Sequence, residues 1–333
     1  MKTKKQHFEL LVAGNHETTH SIFRPILMHF AAQFSGNTYG EFASDYRVLV
    51  ESNIKCAEHF DLDMVGLISD PYRETAAFGA KVEFQDEAVP ICRELIVQTE
   101  DDVKRLKNPD IYKSERTLDR IRGAEYFQKL LKGTMPVIGW IEGPLAEACD
   151  LAGISQMLML LMMDPGFSNR LLDKSTVTAK DFAKAQVEAG CDIIGIGDAI
   201  CSQIDNTTYN AFVKERHRDI IDFIHSLGAR VKLHICGNIT HLLPSIKELR
   251  ADIIDLDWQV DFNNAYDVLG DKVILGGNIN PVLVESLSKE EVFDMTKTLL
   301  QNVHGKKHIL SAGCEISVLT PPENLMAMRE ASL

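Results

Sequence analysis

The sequence predicts an α/β chain folded as a (β/α)8 barrel: one domain spanning residues 1–333, with a helical insertion after the second strand. Three observations lead there. Eight short apolar, β-branched runs recur along the chain, and most are continuous rather than alternating, as in parallel strands covered on both faces. Segments with helical spacing and cap residues lie between several of them. Polar side chains able to do chemistry follow the runs, where a barrel places its active site. A doubly wound open sheet is the main competitor, and the count of eight favours the barrel.

The runs, in order, are RPILMH (24–29), DMVGLI (63–68), PVIGWI (136–141), DIIGIG (192–197), RVKLHI (230–235), DIIDLD (252–257), KVILGG (272–277) and HILSAG (308–313). The stretch 69–135 is too long for a simple crossover and reads as inserted helices and loops. Residues 173–190 have apolar positions at helical spacing and stop at Gly190; 210–228 behave likewise and stop at Gly228. Residues 288–305 open with a Ser288-x-x-Glu291 capping box and close at Gly305. Pro321 and Pro322 suit the entry to a last helix, with Thr320 as its cap. KERHRD (214–219) reads as a solvated helix face, and MLMLLMMD (157–164) as core packing. No repeat, low-complexity tract or linker marks a second domain.

Composition narrows the function. The chain has 333 residues, 45% apolar and 25% charged, which is ample for a globular core. A formal net charge of −13 argues against nucleic acid or an anionic membrane surface as the main partner. No apolar stretch is long enough to span a bilayer, and the first residues lack the apolar centre of a secretion signal. Seven scattered cysteines form no disulfide framework, so a reducing cytoplasm is the expected location. No GxGxxG or P-loop occurs, so nucleotide chemistry is not expected.

The residues after each run are His29; Ser69 and Asp70; Glu142; Asp198; His234 with Cys236; Asp257 and Trp258; Asn278; and Cys314 with Glu315. Any one acidic residue there has an ordinary explanation as a turn cap. His234 and Cys236 are two apart, so on a strand they point to one side. Together with Cys314 they make an imidazole–thiolate set suited to zinc, with three ligands leaving a position for substrate. The alternative is a capping histidine and two buried structural cysteines. Cys191 precedes the fourth strand and belongs at the barrel's other end; Cys201 flanks that strand, and Cys56, Cys92 and Cys149 read as packing.

These motifs, with SDP (69–71), EGP (142–144), LHICG (233–237), LDWQVD (256–261), GGNINP (276–281), SAGC (311–314) and TPPEN (320–324), resemble the uroporphyrinogen decarboxylase superfamily over nearly the whole chain. The match is to its corrinoid-dependent branch, the methylcobalamin:coenzyme M type of methyltransferase. The resemblance implies a zinc ion on His234, Cys236 and Cys314; Asp257 and Glu315 are candidates for a fourth ligand by position only. It implies methyl transfer between a corrinoid and a thiol or similar acceptor, and a separate corrinoid protein as partner. Asp70, Glu142, Asp198, Asp257 and Asn278 are expected to bind substrate or support the ligands. Tetrapyrrole decarboxylation is the runner-up. That reaction's relatives carry an arginine motif after the first strand, where this chain reads LMHFAAQFSG (27–36) without arginine. A non-catalytic zinc-binding barrel is a third possibility, and the oligomeric state is open.

Overall fold

A computed structural model describes residues 2–15 and 20–333. Eight parallel strands form one sheet: β1 (Ile22–Phe23), β2 (Val65–Gly66), β5 (Val137–Glu142), β6 (Ile193–Gly197), β7 (Arg230–His234), β8 (Ile253–Asp255), β9 (Ile274–Ile279) and β10 (His308–Ala312). Their order is β1-β10-β9-β8-β7-β6-β5-β2. The two ends meet through Asp63, whose N–H donates to the Phe23 carbonyl at 2.9 Å and whose carboxylate accepts the Phe23 N–H at 2.8 Å. The chain is a (β/α)8 barrel.

The insertion after β2 holds a short helix (Arg73–Ala77), an antiparallel hairpin of β3 (Val82–Gln85) and β4 (Ala88–Cys92), and two further helices (Glu100–Arg105 and Glu115–Leu131). Among the described residues, no single helix is long and apolar enough to cross a membrane.

Alternation along the strands fills the barrel in layers. The lowest layer is Ile22, Met64, Ile138, Ile193, Ile253, Ile274 and Ile309, closed from below by Phe8 and Leu11 of the helix Lys4–Val12. Burying each such side chain stabilises the fold by roughly 1.5–3 kcal/mol. Two residues further along each strand the layer turns polar: Arg24, Trp140, Lys232 and Asp255, all buried. Glycines make room for them. A methyl group at Gly276 would overlap the Asp255 carboxylate, and one at Gly195 would overlap the Trp140 ring. The third layer is the mouth.

Several local expectations change. The first strand is Ile22–Phe23, not 24–29: Pro25 has no N–H to give a ladder, Ile26 pairs only as a bridge to Glu315, and His29 already begins the helix His29–Ser35. The segment 210–228 breaks at Val213 into helices Asn206–Phe212 and Lys214–Ser226. His217 within KERHRD is fully buried. In MLMLLMMD, Met157 and Leu161 are buried but Met162 and Met163 are 79% exposed, so half that stretch faces outward. The last helix is Pro322–Ser332, and Thr320 does not cap it; its buried hydroxyl has no hydrogen-bond partner among the described residues. The Ser288–Glu291 capping box forms in full, opening the helix Lys289–Asn302.

Candidate metal centre at the barrel mouth

His234 is the last residue of β7 and points inward. Ile235 lies on the opposite side, and Cys236 returns to the mouth just before Gly237, whose φ of 87° turns the chain away. The turn is held by Asp257, which accepts the Gly237 N–H at 2.9 Å. Cys314 arrives from two residues beyond β10. His234 Nε2 lies 3.0 Å from Cys236 Sγ, and the two sulfurs are 3.7 Å apart. One ligand atom from each of the three side chains falls within 4.8 Å of the others. Neutral imidazole and thiolate are the donors zinc prefers, so the residues present fit such an ion.

Asp255 is the register partner of His234 on β8, and its Oδ2 takes the imidazole Nδ1 at 3.1 Å, leaving Nε2 to face the sulfurs. The same oxygen holds the Lys232 ammonium at 2.7 Å. Burial opposes a charge on His234, but Asp255 and Cys314 outweigh it and raise the imidazole pKa to about 9. The hydrogen bond from Cys236, against the effect of burial and with help from His234, brings Cys314 down to about 4. Cys236 is correspondingly pushed up by sharing that bond and by burial. The two cysteines thus shift in opposite directions, and metal binding would require both as thiolates.

The three side chains open on a cavity of about 180 Å3 with apolar walls that include Ile26, Met28, Ile68 and Trp140. Asp70, Glu142 and Glu315 also reach it. Asp70 and Glu142 are each already engaged. Arg116 binds both oxygens of Asp70 at 2.6 Å, and Arg73 donates to Glu142 at 2.7 Å. Burial pushes Asp70 upward, but Arg116 and Arg73 outweigh it and hold its carboxyl well below the usual range. Burial drives Glu142 well above that range despite Arg73, with Glu74 adding to the rise. Glu315 is raised to about 7 by burial, although it accepts the His29 N–H.

The other expected site residues stand differently. Asp198 is fully buried; its carboxylate accepts the first-turn N–H groups of Leu145 and Ala146 and pairs with His217, so it caps the helix Pro144–Ala152. Its own N–H donates to the His234 carbonyl at 3.0 Å. Asp257 is used on the Gly237 and Gln259 N–H groups, and neither it nor Glu315 joins the three-residue cluster. Asn278 gives its amide to the carbonyls of Asp257 and Val260.

Sequence reasoning missed Lys232, Asp255, Arg73 and Arg116. A signal existed for the first two: Lys232 interrupts an apolar run two residues before His234, and Asp255 stands two before Asp257, so period-two alternation aims both inward. The arginines come from the insertion, and no local pattern ties them to the mouth.

A parallel barrel with its reactive side chains at the carboxyl ends of the strands has the layout of a barrel enzyme. The profile described as Uroporphyrinogen decarboxylase (URO-D) matches residues 14–332. The chain belongs to that family. Among curated relatives, uroporphyrinogen decarboxylase of Geobacter metallireducens is 27% identical over 314 residues, covering 91% of this chain and 89% of the relative. Among solved structures, a methyltransferase from Methanosarcina mazei superposes with a TM-score of 0.89 at 19% identity, covering 100% and 98% of the two chains. A B12-independent methionine synthase from Shewanella sp. W3-18-1 gives 0.57 at 14% identity, covering 86% of each. At such identities the structural neighbours speak to fold.

Proposed function

We propose that the protein is a zinc-dependent methyltransferase that moves a methyl group between a corrinoid and a small thiol-type acceptor. One observation carries the reading: His234 Nε2 and the sulfurs of Cys236 and Cys314 converge within 4.8 Å at the edge of the mouth cavity. The chemistry zinc supplies on such a set is acidification of a coordinated thiol near neutral pH.

The chain's own groups do the rest. Asp255 keeps the imidazole turned so that Nε2 faces the sulfurs. The apolar walls exclude water from the acceptor sulfur. A cavity of about 180 Å3 suits a small acceptor, since an apolar space of ~150 Å3 takes a benzene-sized guest. A corrinoid is far larger and would meet the acceptor from above, presented by a corrinoid protein. The acceptor sulfur forms the new S–CH3 bond as the carbon–cobalt bond breaks; the corrinoid keeps that electron pair, and the thiol proton passes to solvent. Aligning sulfur and methyl carbon is the barrel's contribution. The cytoplasm, rich in free thiols, is the compartment this chemistry fits.

Decarboxylation of a tetrapyrrole is the second reading, favoured by the names of the curated relatives. Against it, Arg73 and Arg116 at the mouth are already committed to Glu142 and Asp70, and the helix His29–Ser35 carries no arginine. Mixing the zinc-loaded protein with methylcobalamin and a panel of thiols tests the first reading through loss of the methyl–cobalt absorption. The same preparation incubated with uroporphyrinogen tests the second. Inertness toward every thiol and toward tetrahydrofolate, with consumption of uroporphyrinogen, would reverse the assignment.

A further inference from the structure

The polar layer directly beneath the cysteines and His234 is unusual for a barrel interior. Arg24, Lys232 and Asp255 are 4%, 2% and 6% exposed, and they bring two positive charges and one negative into a space whose floor is apolar. Placing charges there is costly unless something uses them. Lys232 has a clear partner: its Nζ sits 2.7 Å from Asp255 Oδ2, the same oxygen that receives His234 Nδ1 at 3.1 Å. Arg24 is buried beside Asp255, with its Nη1 lacking a hydrogen-bond partner among the described residues.

We infer that Lys232 and Arg24 are positioning residues for the centre formed by His234, Cys236 and Cys314. Lys232 pins the Asp255 carboxylate in the place from which it orients the imidazole. The two cations together leave one net positive charge under the thiolates. The inference rests on the zinc reading above. Two cysteine thiolates and an acceptor thiolate outnumber the charges of a zinc ion by one, so a fixed positive charge below would favour the acceptor-bound state over the resting one. The sequence carries the arrangement in its spacing. Lys232 and His234 alternate onto the same face of β7, and Asp255 is set beside His234 by register. Gly276 is set beside Asp255 in turn, where any side chain would collide with the carboxylate.

The test uses the full-length protein and reads metal and geometry rather than turnover. Zinc affinity is measured by competition with a chromophoric chelator, and ligand geometry by the visible spectrum of the cobalt(II)-substituted protein. Lys232→Met is expected to weaken zinc by about 10-fold and Asp255→Asn by about 10–100-fold, the range for removing an outer partner of a ligating histidine. Both should alter the cobalt spectrum, and Lys232→Arg should recover most of the loss. Gly276→Ala leaves every charge in place but displaces Asp255, and should reproduce the spectral change of Asp255→Asn even if Lys232→Met fails to fold. Arg24→Met should leave resting zinc affinity within about 3-fold but weaken binding of a small thiol, read as a shift of the cobalt spectrum on titration.

Unchanged zinc affinity and spectrum in folded Lys232→Met, or in Gly276→Ala, would overturn the inference while leaving the metal centre intact. Failure of the underlying reading looks different. The unmodified protein would then take up no zinc, or would take up as much after Cys236→Ser and Cys314→Ser.

Discussion

The β7–β10 side of the mouth and the β2–β5 side share one cavity but are built from opposite chemistry. On the first, the Cys236 and Cys314 sulfurs and the His234 Nε2 face mainly one another, while Asp255 holds the other imidazole nitrogen. On the second, acids are matched to bases from the insertion: Asp70 to Arg116, and Glu142 to Arg73. A soft donor set whose sulfurs face one another and the imidazole across the cavity edge is prepared for something that arrives. Asp70, gripped on both oxygens by Arg116, is already satisfied and mainly holds the wall in place. The contrast teaches that nearness to a cavity is a poor guide to role. Asp70 reaches the cavity as surely as Cys236 does, and what separates them is whether their valences are taken.

The largest expected effect breaks the soft side. Cys236→Ser and Cys314→Ser, singly, should empty the centre at micromolar free zinc and reduce methyl transfer by more than the roughly 100-fold that altering an outer partner of a metal ligand costs. Metal analysis and methylcobalamin consumption measure both, while thermal stability changes little in the metal-free state. On the charged side the signs exchange. Asp70→Ala leaves the partly buried Arg116 without its carboxylate, a change that destabilises by about 3 kcal/mol, the low end for breaking a buried pair. Zinc content per folded chain should stay at the wild-type value. Urea denaturation alongside metal analysis separates the two outcomes, and zinc loss from folded Asp70→Ala would erase the distinction between the sides.

A third prediction concerns pH. Asp150, on the helix after β5, is raised to about 8 by burial first and by Glu74 next, with Arg73 opposing. Its folded pKa lies above the ordinary value of 3.8, so its contribution to stability is complete below about pH 4 and is lost as pH rises through 8. Asp150→Asn should therefore flatten the fall in melting temperature between pH 4 and 8, by about 2 °C for each kcal/mol no longer lost. A slope equal to the wild type's would remove Asp150 from that account.

The same contrast explains what could be read from the chain before folding. The seven strands from 63 onward, the capping box at Ser288 and the insertion at 69–135 follow from local pattern, because a buried parallel strand and a capped helix are set by neighbours in sequence. The soft half of the site was equally legible: His234 and Cys236 sit on one strand end, and Cys314 on another, so the fold alone brings them together. The charged half was not. Arg73 and Arg116 reach Asp70 and Glu142 only through the path of the inserted helices, and nothing in RETAA or ERTLDR announces it. The capping role of Asp198 was hidden for a related reason. Its partner His217 lies 19 residues away on the helix Lys214–Ser226, in a stretch whose charges suggested solvent.

The smallest predicted effect tests whether the two sides are independent. Ser69 donates its hydroxyl to Asp70 Oδ2 at 2.6 Å. Ser69→Ala removes one hydrogen bond to a charged acceptor, typically worth about 1.5–3 kcal/mol. Arg116 still binds both oxygens, so the cost belongs at the lower end, near 1.5 kcal/mol by denaturant unfolding. Zinc affinity and the cobalt spectrum should not move. If they do, strain at Asp70 is reaching Cys314 across the cavity, and the charged wall is then part of the centre rather than its frame.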